Sequence, residues 1–446
     1  MYRPEDEPAP TGQRRHLRNT VITIALGLVM FTVGAVGLSP STTGSRDATA
    51  AAAASADPAR GIEALRERVK RLPKDHVSWA DLGMALVQQA RTTADQTAYA
   101  QAETALRRSL ALERSDNLHA EIGMGALAAA RHEFRDALAW ARKAVATSPS
   151  TPAAYGVLAD AYTQLGRYKE AEAAVQKMAD LRPDSPALAR ASYVFELRGD
   201  TVQATALMER ALRAAGTPGE RAFAHTHLSS LALDTGDAAT ALRQAQEGLV
   251  LAPHDPGLLE ARAKGHAATR HTAQAVSDYT AAVAAAPLAP YVLGLGELQQ
   301  SLGHSAEADA QYAVLRAQEM IRRAGRTPAD VDAIYFEADH GDPHDAVTMA
   351  EAAVRERPFI AVHDAYAWAL HRAGRDEKAL EQADMALALG TRSALFLYHR
   401  GIIHQALGDT TSARRDLDQA LATDPHFHPL HAAQARNTLR RIDNAS

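Results

Sequence analysis

Ten alanines recur at a nearly constant interval along most of this chain: Ala102, Ala137, Ala171, Ala204, Ala241, Ala275, Ala308, Ala346, Ala379 and Ala413. The gaps between them are 35, 34, 33, 37, 34, 33, 38, 33 and 34 residues. A period held over nine intervals means that one structural unit is repeated, and that each unit buries its apolar face on the next. Between the breaks, which carry Gly-Asp, Gly-Arg or proline, apolar residues follow helical spacing, and no strand-like alternation persists. From about Pro58 onward the expected fold class is all-α.

The clearest unit places Tyr155, Leu158, Ala159 and Tyr162 on a first helix and Gly166 at a turn, then Ala171, Val175 and Met178 on a second helix closed by Pro183. Small residues such as Ala159 and Ala171 let the two helices approach, while the larger ones fill the groove to the neighbouring unit. Other units repeat parts of this: Trp79, Leu82, Gly83 and Leu86 in the first, Gly236, Ala241 and Pro253 in the fifth, and Gly401, Gly408, Ala413, Ala420 and Pro425 in the tenth. The pattern resembles the tetratricopeptide repeat, whose period is about 34 residues, and the resemblance covers about residues 75–425. It implies a right-handed superhelical α-solenoid of antiparallel helix pairs. The fourth unit lacks the closing proline, and the sixth has Arg270 where the turn glycine belongs. The long gaps coincide with the stretches Ala214–Glu220 and Ala324–Asp330, expected as loops. They divide the array into blocks at 75–213 (repeats one to four), 221–323 (five to seven) and 328–425 (eight to ten), with slight re-orientation between blocks. The first repeat carries an insertion of about seven residues near Gln89–Thr97, judged against the family period. Residues 58–74 read as a capping half-repeat and 426–446 as a C-terminal capping helix.

Ahead of the array lie nineteen residues without a charge, Thr20–Leu38. Arg14, Arg15 and Arg18 precede them, and no lysine or arginine follows until Arg46. At roughly 1.5 Å per helical residue this length spans a bilayer core of about 30 Å, so 20–38 reads as a transmembrane helix contacting lipid. The basic flank places the tail 1–19 in the cytoplasm and the repeats outside. A cleavable secretory signal is the alternative, with small-residue sites at Val33-Gly34-Ala35 and Ala48-Thr49-Ala50, and it would leave the repeats secreted. Residues 39–57, rich in Ser, Thr and Ala, read as a disordered linker.

Chemistry is sparse. The chain has no cysteine, which excludes disulfides, thiolate metal sites and a cysteine nucleophile. Its formal net charge is −5 with both signs interspersed, so no basic stripe awaits nucleic acid. Nucleophile-elbow, phosphate-loop and HExxH patterns are absent, no cofactor is called for, and the chain is not expected to be an enzyme. The tail HFHPLH, with His426, His428 and His431, is the best metal candidate; the bland alternative is exposed or hydrogen-bonded histidine, and the corresponding alternative function is a metal-handling accessory protein.

The resemblance implies a protein or peptide partner along the concave surface lined by first helices. That face carries Tyr335, Asp364, Trp368, His371, Arg372, Tyr398, Gln405, Tyr193, Glu196, Lys264 and Glu297, with Asp160, Thr226 and Gln300 beside them. Aromatic residues and arginine carry much interface energy, yet aromatics at helical spacing also simply pack. The stretch EADHGDPHDA, Glu337–Ala346, concentrates charge but falls in register: Gly341 is its turn glycine, Asp342 an N-cap, Pro343 the first helical residue and Asp345 in the first turn. Asp339 and His340 remain at the groove-side end of the helix before it. The expected function is a membrane-tethered, extracytoplasmic scaffold that presents a bound partner, with oligomeric state left open.

Overall fold

A computed structural model describes residues 58–93, 96–325 and 328–445. The tail 1–19, the proposed membrane helix 20–38 and the linker 39–57 lie outside the described residues. Among those described there are twenty-two helices and no strand. A cap, α1 (Pro58–Arg71), precedes ten helix pairs: α2 (His76–Thr93) with α3 (Gln96–Leu112), α4 (Leu118–Ala130) with α5 (Phe134–Thr147), α6 (Pro152–Gln164) with α7 (Tyr168–Leu181), α8 (Ser185–Glu196) with α9 (Thr201–Ala214), and α10 (Pro218–Leu233) with α11 (Ala238–Leu251). They continue as α12 (Pro256–Ala268) with α13 (Thr272–Ala285), α14 (Ala289–Ser301) with α15 (Ser305–Gly325), α16 (Val331–His340) with α17 (Pro343–Glu356), α18 (Ile360–Arg372) with α19 (Asp376–Leu387), and α20 (Ala394–Ala406) with α21 (Thr410–Thr423). The helix α22 (His431–Ala445) closes the array.

All ten recurring alanines sit on the second helix of a pair, and none is more than 2% exposed. A methyl group there is the largest side chain that leaves the two backbones in contact. In repeats four and five the contact carries a further bond: Ser192 and Ser229 donate their hydroxyl protons to the carbonyls of Ala204 and Ala241 at 2.7 and 2.9 Å. Where a large residue must enter, its neighbours are reduced instead. A Cβ on Gly83 would lie 2.5 Å from Leu106, and one on Gly123 2.4 Å from it. Leu106 of α3 thus fills a slot floored by the glycines of α2 and α4, a burial that contributes roughly 2 to 3 kcal/mol.

The helix ends follow local chemistry. Asp200, Asp237, Asp255, Asp330 and Asp409 accept from backbone N–H groups at helix starts, each cap being worth about 1 kcal/mol. The turns inside repeats three, four, five, seven, nine and ten use glycine at positive φ, and repeat six does the same with Arg270 at φ 64°. Repeat eight differs: Gly341 is extended at φ −129°, because the Glu337 carboxylate occupies the space of its missing side chain and accepts from Asp342 N–H at 3.0 Å. Asp342 caps α17 through His344 N–H at 2.8 Å, with Pro343 behind it, as expected. The insertion in repeat one lengthens α2 to 18 residues, and most of the long seventh gap is absorbed by α15, 21 residues long, rather than by a loop.

The solenoid winds tightly enough to meet itself. The Tyr168 hydroxyl accepts from Ile360 N–H at 3.0 Å, and Arg135 pairs with Glu356 at 2.9 Å. A Cβ on Gly166 would fall 2.6 Å from the Pro358 carbonyl oxygen, and one on Gly199 2.3 Å from that of Gly390. Turns of repeats three and four therefore rest on the loops that leave repeats eight and nine, five repeats further along. Only glycine provides both the left-handed backbone and the clearance at these seams. The inner face is consequently drawn into a lumen.

Candidate functional site

Two adjoining regions make up the inner wall. The first is a cavity of about 560 Å³ bounded by first helices of several repeats. Arg91 of α2, Tyr193 and Glu196 of α8, Phe223, Thr226 and His227 of α10, Glu260 and Lys264 of α12, Tyr291 of α14 and Asp332 of α16 face it. Asp234 at the end of α10, Asp255 ahead of α12, and Phe359 and Phe396 complete the apolar and acidic wall.

Its electrostatics are lopsided. Lys264 is held by Glu260 at 2.8 Å. Among the described residues Glu196, Asp234 and Asp332 have neither a cation within 4.0 Å nor a hydrogen-bond partner for their side chains. Burial pushes the Glu196 carboxyl up to about 8, with the charge of Asp234 adding to it. Burial, then Asp330 and Glu260, raise Asp332 as well, against the opposing charge of Lys264. Glu196 and Asp332 are half-buried in the wall, whereas Asp234 at the end of α10 is exposed. On the same wall burial lowers Arg91 to about 10, and its Nε has no hydrogen-bond acceptor among the described residues.

The second region, in repeats seven to ten, is closed. Glu297 of α14 takes His340 Nε2 at 3.3 Å on one oxygen and His428 Nε2 at 3.0 Å on the other. Burial alone would raise its carboxyl, but these two imidazoles hold it well below the usual carboxylate range. Asp339 of α16 accepts from Trp368 Nε1 at 3.0 Å and pairs with Arg372 at 3.3 Å, with His431 Nε2 3.5 Å away. Asp364 takes the Tyr335 hydroxyl at 2.6 Å and His399 Nδ1 at 2.7 Å. Rings stack through the same network: Trp368 on His399 at 4.2 Å, Tyr398 on His431 at 4.8 Å, and His428 on His431 at 4.1 Å.

This corrects several sequence expectations. Trp368, Tyr398 and Asp364 do not line an open groove; at 2, 1 and 0% exposure they are packed between repeats, because the polar end of each finds a partner inside. Asp160 likewise is buried in a two-bond pair with Arg190 at 2.8 and 2.9 Å. Tyr335 is half-buried in the same network, His371 is tied to Asp376 at 2.6 Å, and Arg372 and Gln405 stay exposed. Tyr193, Glu196, Lys264 and Thr226 do face the cavity. Gln300 accepts from the Tyr312 hydroxyl at 2.6 Å instead.

The segment HFHPLH crosses the inner wall. His428 Nδ1 accepts from the backbone N–H groups of Leu430 and His431 at 3.2 and 3.3 Å, capping α22, so its other nitrogen carries the proton toward Glu297. Burial and the neighbouring His428 and His399 drive His431 well below its ordinary value. His426 is exposed. Among the described residues no group of three or more histidines or carboxylates is placed to hold a metal ion.

Asp332, Asp234, Tyr291 and Phe359 went unread because they lie in the first turns and end caps of first helices, away from the mid-helix positions that a concave-face reading samples. The start of α12, α14, α16 and α18 each supplies a wall residue (Gly257, Tyr291, Asp332, Ala361), and that recurrence is the signal in the sequence.

The tetratricopeptide repeat model matches residues 128–192, from the end of α4 into α8. Among solved structures, the pilF protein of Pseudomonas aeruginosa is 20% identical with a TM-score of 0.38, covering 50% of this chain and 97% of that one. A human IFIT1 dimer with PPP-AAAA is 13% identical, TM-score 0.46, over 83% of this chain and 88% of that one. Yeast Tom70 is 12% identical, TM-score 0.35, over 82% and 96%. No curated protein matches the chain. None of these likenesses bears on what this chain binds.

Proposed function

We propose that this chain, whose residues 128–192 match the tetratricopeptide model, is a non-enzymatic scaffold that holds a protein or peptide partner on its inner wall. Repeat arrays of this kind are generally interaction modules, and the protein–protein role follows from the repeat. The observation that carries the finer reading is the cavity, which gathers polar and aromatic side chains from first helices of seven repeats at one place. Buried aromatic anchors beside converging polar groups are what interface energy is made from. The uncharged stretch 20–38 supports tethering to a membrane with the repeats on the extracytoplasmic side, organised as blocks at 75–213, 221–323 and 328–425. Tethering raises the effective concentration of partners near the bilayer.

Site-directed photocrosslinking on the full-length protein in its native membrane tests this. A photoreactive side chain at Phe223 is expected to give a discrete adduct that the same group at Met385, exposed on α19, does not. Equal labelling from both positions would sink the cavity as the partner site, and alkali extraction of the protein from the membrane would sink the tether.

A further inference from the structure

The cavity also specifies the chemistry of what fills it. It presents five carboxylates against three cations, Arg91, Lys264 and the exposed Arg392, and among the described residues only Glu260 is directly paired, with Lys264. Three of the others, Glu196, Asp234 and Asp332, come from α8, the end of α10 and α16, and have no ion pair within 4.0 Å among the described residues, although Lys264 acts on Asp234 and Asp332 from further away. Half-buried carboxyls beside one another are costly to ionise on their own and are stabilised as carboxylates by a positive charge that can enter. Arg91 brings guanidinium donors to the wall of the same cavity, which is large enough for several residues of chain, although its Nε itself is sealed in the wall without an acceptor among the described residues. A lone metal ion or amine would not use those donors, whereas a peptide carries a carbonyl oxygen at every residue.

We propose that the cavity binds a basic peptide segment, with lysine or arginine side chains against Glu196 and Asp332 and a main-chain carbonyl on Arg91. The inference rests on the cavity being the partner site and adds what kind of partner it takes. The aromatic side chains of Phe223 and Tyr291 on the same wall suit that occupant, since a guanidinium or the stem of a lysine packs on such rings.

Binding of this kind has a proton signature. Glu196 faces Asp234, while Asp332 faces Asp330, Glu260, Glu297 and Lys264. The Glu196 carboxyl, pushed up to about 8, is largely protonated at pH 7, and burial with Asp330 raises Asp332 in the same direction. A cation entering beside them favours the ionised form, so about one to two protons leave as the peptide binds.

The test is calorimetric titration of the full chain in detergent at pH 7, in phosphate and in Tris, with capped five-residue peptides Gly-Lys-Gly-Arg-Gly and Gly-Glu-Gly-Glu-Gly and with spermidine. The basic peptide is expected to bind with a buffer-dependent heat that reports proton release, and the acidic peptide not to bind. The double variant Glu196→Gln/Asp332→Asn should weaken the basic peptide on the order of tenfold or more and abolish the release, with circular dichroism unchanged. Arg91→Met should weaken the peptide but not spermidine. Binding of the acidic peptide, or of the basic peptide without proton release and indifferent to the double variant, overturns the proposal. Spermidine binding as tightly as the basic peptide overturns its peptide part. If no peptide binds while the Phe223 crosslink persists, the basic preference fails and the partner site stands; if the crosslink also fails, both fall.

Discussion

The two halves of the inner wall are made from equivalent faces of the same repeat, yet they are finished in opposite ways. In repeats seven to ten every carboxylate of the network has acquired an internal partner: Glu297 two histidines, Asp339 a tryptophan and an arginine, Asp364 a tyrosine and a histidine. Around the cavity Glu196, Asp234 and Asp332 have none among the described residues. The closed network shows what this surface looks like when its carboxylates are paired from within, although Asp364 Oδ1, His399 Nε2 and His431 Nδ1 stay buried without a partner among the described residues. The cavity shows the same chemistry left open. Aromatic content alone would have chosen the closed half, since Trp368 and Tyr398 are packed there.

The difference can be broken from either side. The largest effect is expected from Trp368→Ala, which empties a fully buried site and strips Asp339 of a donor; it should cost about 3 to 5 kcal/mol, read as a large fall in the urea midpoint. A change confined to ligand binding with stability untouched would return Trp368 to the groove. Gly199→Ala comes next, at about 1 to 3 kcal/mol, because its φ of 73° and the nearby Gly390 carbonyl leave no room for a methyl. Hydrogen exchange across Gly390–Ser393 should accelerate with it, marking the seam that encloses the cavity.

Glu196→Gln should do the opposite and stabilise. The folded carboxyl, raised to about 8 from its ordinary 4.5, binds a proton that the unfolded one has released, so wild-type stability falls as pH rises between these values. The variant escapes that loss: it should gain roughly 1 to 3 kcal/mol near pH 8 and nothing near pH 4, checked by denaturation at both pH values. A gain that does not depend on pH would mean that Glu196 is not the strained group. The smallest effect is expected from Arg135→Ala, whose pair with Glu356 is well exposed on both sides; it should change stability by less than about 1 kcal/mol. A larger loss would show that the seam between turns depends on its charges rather than on its glycines and Tyr168.

Much of the fold was legible because its determinants are local. The recurring alanines, the turn glycines and the aspartate caps each act within one helix pair, and a pair looks the same wherever it stands in the array. EADHGDPHDA resolved the same way, into helix end, turn and cap, except that Gly341 serves the Glu337 carboxylate rather than a left-handed turn. The candidate site was legible only in part. Tyr193, Glu196, Lys264 and Thr226 were reached through their place on first helices, but nothing within one repeat announces whether an inward carboxylate meets a histidine four repeats away.

The sequence by itself therefore determined the unit, its ten copies and which face of each copy turns inward, since period and side-chain size settle these over distances of about 35 residues. Tertiary structure decided how tightly the units wind. Small rotations between neighbouring pairs add up until the Tyr168 hydroxyl meets Ile360 and His428 meets Glu297, and that sum, a property of the whole array and of no single repeat, divides the inner face into packed wall and open cavity.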